Sequence, residues 1–248
     1  MNKLQINIIR SYLLITLLLV GFGLFIPANR NLWLFRYFSI LSLFLIAIYF
    51  KVKRKIQTQL PYALLFAAIG DAFIYLPLSL NFLKLNIPLG LFSFTMAYVI
   101  IASTYLKVLS SNHKSGNTAF NLLQIALIVV IVSISVIFLQ KTQLDYLFFG
   151  SLFLFALLLV FSCSLNIFFT PLISKRLRGL ILISSTLMVI CDTGVILGFS
   201  IPAGDPMVYN LGSSMVWSAY IPAWTIICIL SMDTEYNKTN TLNSLQNS

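Results

Sequence analysis

Two of the six acidic residues in this 248-residue chain, Asp71 and Asp192, lie inside long apolar runs, FAAIGDAFIYL and LMVICDTGVIL. The other four, Asp145, Asp205, Asp233 and Glu235, fall at the ends of such runs, in a loop or near the C-terminus. A carboxyl group in the middle of a membrane span costs on the order of 2.5–3.5 kcal/mol, so it needs a polar partner and is by default a functional candidate. The plain alternative is a protonated aspartic acid that only hydrogen-bonds a neighbouring helix. Counted from the ends of their helices, Asp71 and Asp192 lie roughly 17 and 20 Å into a hydrocarbon layer of about 30 Å. Tyr98 and Tyr220, counted from the opposite side, reach about 15 and 14 Å. Four polar side chains therefore converge on one level.

Other chemistry has little to work with. The single histidine, His113, lies in the polar stretch SSNHKSGNT, and Cys163, Cys191 and Cys228 each fall within an apolar run without metal-binding or disulfide spacing. Neither a metal site nor a Ser-His-Asp triad is expected, and no cofactor is implied. A net charge of +10 invites a nucleic-acid reading. The basic residues, however, sit in short segments beside apolar runs, which is the pattern that orients a chain in a membrane.

The elements that must position the four residues follow from composition. With 59% hydrophobic and 9% charged residues and a mean hydropathy of +0.96, the chain predicts an all-α integral membrane protein. Apolar runs near 11–27, 32–50, 60–80, 88–106, 119–139, 145–169, 179–200 and 211–231 predict eight transmembrane helices. Residues 1–231 form the membrane domain, and 232–248 read as a polar cytoplasmic tail without fixed structure. With the N-terminus inside, twelve basic residues fall on the inner side and three, Arg30, Lys84 and Lys141, on the outer. That split predicts both termini in the cytoplasm and a place in the cell membrane. Arg36, one turn inside the second span, is expected to snorkel to the outer interface.

The spans also repeat. Asp71 is followed after 19 residues by Gly90 in LGLFSFTMAY, and Asp192 after 20 by Gly212 in LGSSMVWSAY, which sets Tyr98 and Tyr220 at an offset of 122. Four spans per unit predict two parallel repeats, about 1–110 and 111–231, related by an axis along the membrane normal and enclosing a central polar cavity.

In order and spacing, IGDAFIYL, LGLFSFTMAYVIIA, ICDTGVIL and AYIPAW resemble the eight-helix YhhN family of lysoplasmalogenase-like membrane proteins. Its Gly-Asp matches Gly70 and Asp71, its second aspartate Asp192, and its last-helix tyrosine Tyr220. Four positions differ: Ala67 stands for Ser, Tyr98 for His, Arg36-Tyr37 for Lys-Pro and Trp224 for Gln. The resemblance implies hydrolysis of the vinyl ether bond of lysoplasmalogens drawn from the bilayer, with Asp71 and Asp192 catalytic and Tyr98, Tyr220 and Gly70 supporting. The competing expectations are a proton-coupled small-molecule transporter, which parallel repeats with midplane carboxylates also describe, and a noncatalytic protein of the same fold.

Overall fold

The computed structural model describes residues 3–25, 30–54, 58–75, 83–110, 144–171, 173–200, 206–233 and 236. They form seven helices: α1 (Lys3–Phe25), α2 (Arg30–Arg54), α3 (Leu60–Tyr75), α4 (Leu83–Ser110), α5 (Leu144–Phe169), α6 (Lys175–Ser200) and α7 (Pro206–Met232). The expected span at 119–139 lies outside the described residues. Six of the seven helices are long and apolar enough to cross a membrane, and α3 is a shorter apolar helix. The described residues thus contain helices and no strand, and the chain is a helical, multi-pass membrane protein. A helix is the one open-chain element that satisfies its own backbone hydrogen bonds in lipid. Several predicted ends, such as the start of α1 and both ends of α2 and α4, move outward by several residues because helix continues into the polar flanks, as in the basic last turn of α2 at Lys51, Lys53 and Arg54.

The outer faces are apolar. Leu13, Leu14, Leu17 and Phe22 of α1, Phe35, Phe38 and Leu45 of α2, and Phe155 of α5 are all exposed, as expected where lipid rather than water is the surrounding solvent. The most enclosed helix is α7, which packs on α1, α2, α3 and α6. Its inner face carries Trp217, Tyr220, Trp224, Ile227 and Cys228. Around it, α2 packs on α3 and α7, while α5 packs on α6 and α4.

Two close helix pairs carry the site. In α3 and α4, a methyl group on Gly90 would stand 3.3 Å from the Gly70 carbonyl oxygen and 2.5 Å from the Ile74 side chain. In α6 and α7, a methyl on Gly194 would stand 2.6 Å from the Gly212 carbonyl oxygen. Glycine at these crossings lets the backbones approach, the usual device of membrane helix pairs. Each pair is also joined by one hydroxyl: Ser93 donates to the Phe66 carbonyl at 2.7 Å, and Ser184 to the Ala223 carbonyl at 3.1 Å.

The start of the expected free tail is not free. Asp233 is buried and accepts a 2.6 Å hydrogen bond from Arg176 at the start of α6, and Tyr236 is fully buried. An aromatic ring and an ion pair hold these residues where their polarity predicted a loose end.

Candidate functional site

Asp71 on α3 and Asp192 on α6 both face the interior, 0% and 6% exposed, with Tyr98 of α4 at 2% and Tyr220 of α7 at 5%. The hydrogen bonds between them run crosswise. Tyr220 of the second half donates to Asp71 Oδ2 of the first at 2.7 Å, and Tyr98 of the first half donates to Asp192 Oδ2 of the second at 2.5 Å. A tyrosine hydroxyl can donate to a carboxyl oxygen whether that carboxyl is ionised or not. The two bonds therefore fix side-chain position without fixing charge.

Charge is set unequally by the next shell. Arg36 does not snorkel: it is 3% exposed and its Nη2 donates to Asp71 Oδ1 at 2.9 Å. Its guanidinium also lies 4.2 Å from the centroid of the Tyr220 ring. The physical reason is the one that placed the aspartates inside. A carboxylate and a guanidinium that must both leave water lose less by meeting than by staying apart. Among the described residues Asp192 has no cation in hydrogen-bond contact, and the Arg36 charge acts on it only across a longer distance. Tyr98 is its hydrogen-bond partner among the described residues, and the Tyr98 ring packs on Phe153 of α5 at 5.4 Å between centroids. Where α2 lays a cation over one tyrosine, α5 lays a phenyl ring against the other.

Trp224 stands at the seam. Its indole is parallel to the Tyr98 ring at 6.2 Å and edge-on to the Tyr220 ring at 6.3 Å. Phe94 closes the other side, edge-on to both Phe153 and Tyr220. Gly70 makes room for that phenyl group: a methyl there would meet the Phe94 ring at 2.8 Å. Its place is thus in the packing beside Asp71, one step removed from any reacting atom.

The sequence brought four of the five central polar groups together and misplaced the fifth, Arg36. The available signal was a lone cation buried one turn inside an apolar span in a chain that already owed two intramembrane carboxyls a partner. No family model, curated protein or solved structure matches the chain.

Proposed function

We propose that the chain is a lysoplasmalogenase-like hydrolase that takes its lipid substrate from the bilayer and cleaves the vinyl ether bond with Asp192 and Asp71. The observation that carries this reading is the inequality of two buried carboxyls joined crosswise through Tyr98 and Tyr220. Asp71, held against Arg36, is the carboxylate of the pair. Asp192, whose hydrogen bond comes from the Tyr98 phenol and not from a cation, is the proton donor.

Vinyl ether hydrolysis uses both. The carbon of the double bond farther from oxygen takes the proton of Asp192, and the electron pair of the double bond forms the new C–H bond. The ether oxygen shares its lone pair with the remaining carbon, giving an oxocarbenium cation that faces the newly formed Asp192 carboxylate. Water attacks that carbon and gives its proton to Asp71, as in glycosidases that split the work between two carboxyls. The hemiacetal then breaks its bond to glycerol: Asp71 gives its proton to the leaving glycerol oxygen, while the hemiacetal hydroxyl proton passes to Asp192 as the C=O bond forms, so both carboxyls return to their starting states. Water is consumed, and an aldehyde and a glycerophospho-head group leave.

The fuller architecture belongs to the same proposal: eight spans, two parallel four-helix repeats around a central polar cavity, and both termini cytoplasmic. Three features support it: the matching helix pairs α3/α4 and α6/α7, the crosswise bonds, and the basic residues at the ends of α2 and α4 and the start of α6. Because all the central residues are enclosed, substrate reaches them only when a ring such as Phe94 or Phe153 swings aside. Purified protein assayed with lysoplasmalogen and ordinary lysophospholipid side by side tests the reading. Aldehyde release from the first with no fatty acid from the second is expected. Proton-driven uptake by proteoliposomes with no lipid product would replace the hydrolase by a transporter.

A further inference from the structure

Trp224 is 0% exposed, and its Nε1–H has no acceptor among the described residues. An indole nitrogen can only donate, and a buried donor without an acceptor is unfavourable. A phenyl ring would avoid that penalty, though it is smaller than the indole. The indole that carries this donor is in ring contact with both tyrosines that hold the aspartates, so an acceptor brought in by a ligand of this site would complete it.

We infer that Trp224 Nε1–H binds the free glycerol hydroxyl of the lysolipid, making Trp224 a residue that selects substrates lacking a second acyl chain. The inference rests on the lipid-hydrolase reading. The ligand offers two oxygens close to the reacting carbons, the vinyl ether oxygen and the neighbouring hydroxyl. A donor on the ether oxygen would withdraw the lone pair that must stabilise the oxocarbenium cation, and so would oppose the reaction. A donor on the hydroxyl leaves that lone pair free and orients the glycerol. The hydroxyl in turn can donate its own proton to a carboxyl oxygen. An ester at that position offers no such proton and adds a chain that the closely packed rings must accommodate.

Binding of two saturated ether lipids to the protein in nanodiscs tests this without any turnover. One is 1-O-alkyl-2-hydroxyglycerophosphocholine and the other is its 2-deoxy analogue. Wild type should bind the hydroxyl lipid roughly tenfold more tightly, the size of one hydrogen bond. Trp224→Phe should bind both alike; the smaller ring leaves space in the core and lowers the melting temperature, which leaves the ratio of the two affinities unaffected. Trp224→His keeps an N–H on a smaller ring and should retain part of the preference. Because each variant is judged by the ratio of two affinities, reduced yield does not obscure the result. A full hydroxyl preference in Trp224→Phe, or equal affinities in wild type, overturns the inference alone. Failure of wild type to bind either ether lipid overturns it together with the lipid-hydrolase reading.

Discussion

Asp71 and Asp192 lie on separate helix pairs, α3/α4 and α6/α7, and each accepts a hydrogen bond from a tyrosine of the other pair. They differ in what lies behind that tyrosine: the Arg36 guanidinium, 4.2 Å from the Tyr220 ring, or the Phe153 ring, 5.4 Å from that of Tyr98. Two carboxyls bonded in the same way thus have unlike surroundings. Two identical carboxyls at the same depth would compete for the same role. In the proposed mechanism, a single cation placed by α2 sets the carboxylate apart from the proton donor.

The largest effect should come from breaking the two halves in the same way. Asp71→Asn and Asp192→Asn should each lower lipid hydrolysis by about 10²- to 10⁴-fold, the usual contribution of acid or base catalysis. Their stabilities should part. Asp71→Asn strands the buried Arg36 charge and should cost about 3–5 kcal/mol, whereas Asp192→Asn leaves no charge unpaired and should cost little. Thermal melts of both variants in detergent check the difference, and equal losses would erase the distinction between the half-sites. Combining Arg36→Met with Asp71→Asn should restore most of the lost stability but none of the activity, because removing both partners leaves no buried charge.

A smaller effect is expected at the helix crossings. Gly194→Ala sets a methyl against the Gly212 carbonyl oxygen at 2.6 Å, backbone that cannot rotate away, and should destabilise by about 1–3 kcal/mol. Gly70→Ala meets only the Phe94 ring at 2.8 Å and should cost less in melting temperature, while disturbing the ring that closes the site. The smallest difference concerns the hydroxyls. Tyr220→Phe removes a donor from a carboxylate, worth about 1.5–3 kcal/mol, and Tyr98→Phe a donor from a neutral carboxyl, worth about 0.5–1.5 kcal/mol. Turnover and melts of the two Phe variants, measured together, rank the halves.

Much of this arrangement is legible in the sequence, and the exceptions share one cause. Hydropathy reports how deep a residue lies along a helix, which is how depth alone points to Asp71, Asp192, Tyr98 and Tyr220, found as two hydrogen-bonded pairs. Spacing singles out Gly90 and Gly212, each of which lies at a close helix crossing. Neither reports which way a side chain points around its helix. Arg36 looked like an interface residue from its depth, yet it turns inward to Asp71. Asp233 and Tyr236 looked like a loose tail from their polarity, yet Arg176 and the helix ends enclose them. The crosswise bonding of the halves is likewise a matter of assembly, absent from either half taken alone.

The central claim is that the bond is cleaved by delivery of a proton to carbon from one of two unlike carboxyls. It is tested most directly by running the purified protein on lysoplasmalogen in deuterated water and weighing the released aldehyde. The account predicts aldehyde carrying one deuterium on the carbon next to the carbonyl, formed by wild type and lost in Asp192→Asn. Aldehyde without that deuterium, or the same labelled product from Asp192→Asn at the wild-type rate, would contradict it.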